Sequence, residues 1–224
     1  MAAPVKEERL KETTLQRVQI PPHGLEGLLR VPPNAYGMIV FVHGSGSSRL
    51  SPRNNRVAEA LHDAQLATLL FDLLTDAEAG DRANVFDIDL LAERLLQVLA
   101  WLRGRPDIGD LPVGLFEAST GTAAALMAAG RSAEVAAVVS RGGRPDLAGP
   151  AIDLVKAPTL LIVGSLDTQV LELNRQALSR LGGEKDLQVV PGAGHLFEEA
   201  GTLDVVIVLA QRWFEDHLRR AVRT

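Results

Sequence analysis

The sequence predicts an α/β protein built on a largely parallel sheet with helices on both faces. Three observations lead there. Short, uninterrupted apolar runs recur along the chain, as strands buried on both faces require. Between them lie longer segments whose apolar residues repeat at helical spacing. From residue 38 onward the two kinds alternate, which is the pattern of parallel strands joined by crossover helices.

Taken in order, "LQRVQI" (15–20) and "LEGLLRV" (25–31) flank "PPHG" and read as an antiparallel pair. "MIVFV" (38–42) reads as a doubly buried strand, followed by "ATLLFDLL" (67–74), "PVGLFEA" (112–118), "VAAVVS" (135–140), "PTLLIVG" (158–164) and "DLQVVPG" (186–192). Ser51-Pro52 is an N-cap followed by proline at the first helical position, and it opens a helix over 52–64. "VFDIDLLAERLLQVLAWLRG" places apolar residues at 88, 91, 95, 98 and 102, with Gly104 as its stop. Further helices are expected over 120–130, 168–181 and 202–220. One domain over 1–224 is expected, with 1–13 a mobile segment. About 16 residues, 142–157, separate two strands, too few for a helical cap domain.

Composition narrows the function. The chain has 224 residues, 46% apolar, and a net charge of −5 without a basic cluster, which argues against nucleic acid as a partner. It has no cysteine, so thiolate catalysis and Cys-ligated zinc are excluded. No His/Asp/Glu group has metal-binding spacing; Asp87 and Asp89, two apart, cannot share a helix face. "HGSGSSR" lacks the endings of both common nucleotide loops. The charged N-terminus has no signal-type apolar stretch, and no run approaches a membrane span. These features lead to the expectation of a cytoplasmic protein with no membrane partner and no cofactor.

Ligands in such sheets bind beyond the carboxyl ends of the strands. Those ends carry the loop His43-Gly44-Ser45-Gly46, then Ser119 in "FEASTG", Asp167, and His195 in "GAGHLF". The order Ser, Asp, His, each after a strand, is that of an α/β-hydrolase triad. A serine hydroxyl attacks only with a base in reach, and an imidazole is that base near neutral pH. Asp167 would orient it. Backbone N–H groups of Thr120 and Ser45 would hold the oxyanion. Asp72 and Asp146 are weaker candidates for the acid. His43 reads as a structural residue of its loop, and His23, His62 and His217 as surface or helix-face residues. Arg49, Arg53, Arg141 and Arg144 lie near strand ends; Arg53 and Arg141 are candidates for binding the substrate, with loop salt bridges as the competing reading.

"FVHGSGSS", "FEASTG", "VSRGGRPDLAG", "LLIVGSLDT" and "VPGAGHLFEE" together resemble the dienelactone-hydrolase-like branch of the α/β-hydrolase superfamily, in particular its small members that also occur fused to phosphoribosyltransferase domains. The resemblance runs from about residue 15 to 218. It implies an eight-stranded, mostly parallel sheet with antiparallel first strands, and the roles given above to Ser119, Asp167, His195 and the 43–48 loop. It implies no substrate. Two departures stand out. Glu117 replaces the first glycine of Gly-x-Ser-x-Gly, and the cysteine nucleophile of strict dienelactone hydrolases is absent. The expected activity is therefore that of a cofactor-free serine hydrolase of small esters, thioesters or lactones. The alternative is a non-catalytic binding protein of the same fold with an altered elbow. Glu117 would also suit an engineered variant. As a charged neighbour of the oxyanion it would slow the enzyme, and Glu117→Gly would gain about fivefold in kcat/KM. As a buried, protonated acid it would not repel.

Overall fold

The computed structural model describes residues 15–221, so the expected N-terminal mobile segment lies outside the described residues. Eight strands, β1 (Gln16–Ile20), β2 (Leu25–Arg30), β3 (Met38–Val42), β4 (Ala67–Phe71), β5 (Val113–Ala118), β6 (Val135–Arg141), β7 (Thr159–Gly164) and β8 (Lys185–Val190), form one sheet. Their spatial order is β1-β2-β4-β3-β5-β6-β7-β8. β2 is antiparallel to both its neighbours, and every pairing from β4 onward is parallel. β4 ends at Phe71, three residues short of the expected run. Beyond it Asp72 turns its carboxylate to Arg49, and Leu73 N–H points at His43, so loop contacts replace the ladder.

The central strands are apolar on both faces because helices cover both. Along β3, Met38, Val40 and Val42 join the core beneath α4 (Ile88–Arg103) and α5 (Gly121–Arg131), whereas Ile39 and Phe41 join the core beneath α1 (Pro52–Asp63) and α7 (Thr202–Ala221). α6 (Thr168–Arg180) follows β7. Of the α4 residues picked out by periodicity, Leu91, Leu95, Val98 and Leu102 are buried and Ile88 is half-buried, and Gly104 caps the helix. Ser51 Oγ accepts the Asn54 N–H and opens α1 at Pro52. Two short helices, α2 (Asp76–Ala79) and α3 (Arg82–Val85), were not foreseen from sequence. Between β6 and β7 runs a 3-10 segment, Pro145–Leu154, kinked at Gly149, and no cap domain. Among the described residues no helix is long and apolar enough to cross a membrane.

Candidate active site

The reversal from β5 to α5 takes two residues. The first, Ser119, holds φ +53°, which a serine adopts only when its surroundings enforce it. The neighbours do enforce it. A Cβ on Gly121 would stand 2.5 Å from the Val42 carbonyl oxygen and 2.6 Å from that of His43. One on Gly44 would stand 2.8 Å from Ser119 Cβ. The start of α5 and the loop after β3 therefore pack backbone to backbone around the turn, which only glycine allows. The Ser119 carbonyl accepts the Arg144 N–H at 2.9 Å, pinning the elbow from the third side.

β7 and β8 are parallel neighbours, so the loops that leave them run side by side. Ser165 and Leu166 N–H donate to the Val190 and Ala193 carbonyls at 3.0 Å each. That lacing brings Asp167 Oδ2 to 2.6 Å from His195 Nδ1. A carboxylate at Nδ1 keeps the proton there and leaves Nε2 as the open lone pair. Asp167 is mostly buried behind the ring, whereas the His195 side chain is 39% exposed.

Ser119, His195, Ser45, Arg53 and Arg141 line one cleft of about 590 Å³. A second pocket of about 260 Å³, with Leu73, Leu74, Val85 and Leu91 in its wall, lies against the same 43–48 loop. The Thr120 N–H has no acceptor among the described residues, whereas the Ser45 N–H donates to Thr120 Oγ1 at 2.8 Å. His43 behaves structurally: its Nδ1 lies 3.0 Å from the Gly44 carbonyl oxygen and its Nε2 accepts the Leu73 N–H at 3.4 Å. It ties the loop after β3 to the chain after β4.

The competing acids have other partners. Asp72 accepts the Arg49 N–H at 2.7 Å and pairs with the Arg49 guanidinium, which also reaches Glu26. Asp146 forms a two-pronged pair with Arg144 at 2.7 and 2.8 Å. Arg49 and Arg144 are thus loop salt bridges. Arg53 bonds Glu198 at 2.7 Å, and Arg141 has no carboxylate partner among the described residues. Of the remaining histidines, His217 is buried and bonds the Trp213 carbonyl at 2.8 Å, and His23 meets Arg94.

Glu117 is absent from the cleft wall. Strand alternation puts Phe116 in the α1/α7 core and Leu115 in the α4/α5 core, and Glu117 shares the face of Leu115. It is 0% exposed, flanked in the sheet by Val42 and Ser140, and neither carboxyl oxygen has a well-formed hydrogen bond. Burial pushes its carboxyl well above the ordinary range; the nearby Ser140 hydroxyl pulls the other way and only in part. Glu117 thus lies in the core and not in the cleft wall, and burial favours its neutral form, the second of the two readings given above. No described group of three His, Cys, Asp or Glu residues has the arrangement of a metal site.

No family model matches the chain. A crystal structure of a dienelactone hydrolase from Anabaena variabilis superimposes with a TM-score of 0.87 at 51% identity, covering 92% of this chain and 98% of that one. The chain belongs to the dienelactone hydrolase family. Within that family it keeps the fold but has serine at the elbow and no cysteine anywhere. A curated Mycobacterium tuberculosis protein named "Putative phosphoribosyl transferase" is 59% identical over 198 residues, 88% of this chain. The chain spans 45% of that relative's length, in line with the resemblance to fused members. The Pyrococcus furiosus esterase Pf2001 shares the fold at a TM-score of 0.79 and 16% identity, covering 97% of this chain and 98% of that one. Nothing in these comparisons supports Glu117 as an engineered change.

Proposed function

We propose that this dienelactone hydrolase family member is a serine hydrolase of small carboxylic esters, thioesters or lactones, working without a cofactor. The observation that carries the reading is His195, held by Asp167 at 2.6 Å, in the wall of the cleft that also holds Ser119 at positive φ. In this mechanism Ser119 Oγ attacks the carbonyl carbon while its proton passes to His195 Nε2. Asp167 stabilises the imidazolium that results. The negative oxygen is held by the Thr120 N–H and, once the Thr120 hydroxyl rotates aside, by the Ser45 N–H. Collapse expels the alcohol, thiol or ring oxygen, which takes the proton from His195. Water, deprotonated by the same ring, then releases the acid from Ser119.

A non-catalytic binding protein is the second reading, favoured by one observation: the Ser45 N–H already has an acceptor. A fluorophosphonate probe separates the two. Stoichiometric labelling, lost in Ser119→Ala along with esterase activity, supports the hydrolase; an unlabelled wild type supports the binding protein. Ser119→Ala should stay within about 1 kcal/mol of wild-type stability, so that lost activity is not lost folding.

A further inference from the structure

Arg141 ends β6 beside Ala118, the residue before the elbow. It is 6% exposed. Its Nη2 makes one long bond, 3.4 Å, to Asn54 Oδ1, its Nε is buried without a partner, and Phe197 lies 5.9 Å beneath the guanidinium. Burial, and then the charge of Arg53, lower its pKa to about 10, so it stays a cation at neutral pH. Burying a cation without a counter-ion is unfavourable unless a ligand supplies the charge.

Arg53 stands in the same wall of the cleft. Its Nη1 reaches Glu198 at the exposed rim, and its Nε too is buried and unpartnered. It is the second residue of α1, whose first turn also lines the cleft. Pro52 has no N–H and that of Asn54 goes to Ser51 Oγ at 3.4 Å, so the Arg53 N–H is the donor left at this positive helix end.

We propose that Arg141, Arg53 and the first turn of α1 form a phosphate-binding subsite, so that the ester or lactone cleaved at Ser119 carries a phosphate group. The proposal rests on the serine-hydrolase reading for the cleavage, but not for the binding. Two guanidiniums on different elements and a helix end suit a dianion with three oxygens. A carboxylate would satisfy Arg141 and leave Arg53 with its rim partner. Glu198, exposed and held by that single contact, is displaced as the phosphate docks.

The test compares 4-nitrophenyl pentanoate with 4-nitrophenyl 5-phosphonopentanoate and the mono-4-nitrophenyl ester of adipic acid. The phosphonate should exceed the neutral ester by at least about tenfold in kcat/KM, mainly through KM, the scale of a hydrogen bond to a charged group. Arg141→Gln should erase that preference and Arg141→Lys should keep part of it. Equal rates on all three esters, or preference for the carboxylate alone, would overturn the subsite. A readout independent of turnover is the Tm rise with inorganic phosphate, expected in wild type and absent in Arg141→Gln. Should Arg141→Gln not fold, Arg53→Gln replaces it in both arms. If no ester is cleaved and Ser119 is not labelled, the hydrolase reading fails, while the phosphate-dependent Tm still decides the subsite.

Discussion

Asparagine at 167 would preserve the shape of the carboxylate and reverse the hydrogen bond. Its amide can donate to His195 Nδ1, which then moves the ring proton to Nε2, where the base must be free. Asp167→Asn is therefore expected to lower kcat by roughly 10⁴, the scale of the equivalent change in serine proteases. Asp72→Asn should lower it far less, because Asp72 holds Arg49 and not the base. The opposite ranking in steady-state kinetics would reassign the acid. Glu117 makes a different kind of prediction. Its carboxyl is raised by folding, so the native state binds that proton more tightly than the unfolded chain does. The resulting stability is complete below the ordinary glutamate range and is lost as pH rises through the native pKa. Glu117→Gln removes this titration. Urea unfolding across pH should show the variant gaining on wild type as pH rises; parallel curves would mean that Glu117 ionises normally.

Short elements depend on local hydrogen bonds, which is why α2 and α3 escaped the sequence reading. A four-residue helix is too short to show apolar periodicity, and neither buries a residue. What holds α2 is a capping box: Thr75 Oγ1 accepts the Glu78 N–H, and the Glu78 carboxylate accepts the Thr75 N–H at 2.9 Å and Arg94 at 2.6 Å. The backbone bond first, and Arg94 next among the attractive contacts, lower the Glu78 pKa to about 2. That stabilisation is present above the ordinary glutamate range and disappears as pH falls toward 2. Glu78→Gln should cost about 1 kcal/mol at pH 7, a value discounted for solvent screening at this partly exposed site, and nothing near pH 2. Equal loss at both pH values, followed by thermal melts, would point to packing instead. The longer elements were legible because their apolar residues repeat over several turns, as in α4, or fill a whole strand, as in β3. The face of Glu117 was not legible: a strand buried on both sides has no polar alternation to reveal which way residue 117 points.

At the scale of the molecule, the sheet order decides which strand ends meet. Ser119, Asp167 and His195 were readable because each follows an apolar run, and parallel connectivity carries all such ends to one edge. Which arginine pairs with which acid was not readable, since Arg49 with Asp72 and Arg53 with Glu198 are brought together by segments far apart in sequence. The 2.6 Å contact between His195 and Asp167 has a use that needs no substrate. Because the chain contains no cysteine, Ser119→Cys would carry its sole thiol at the elbow. An imidazole held by a carboxylate favours the thiolate, so alkylation by iodoacetamide should stay fast well below the ordinary cysteine pKa of about 8.5. Adding Asp167→Asn should return the alkylation profile toward that of a free thiol. The rate of one labelling reaction against pH thus becomes a titration of the pair itself, read by mass spectrometry with no ester present.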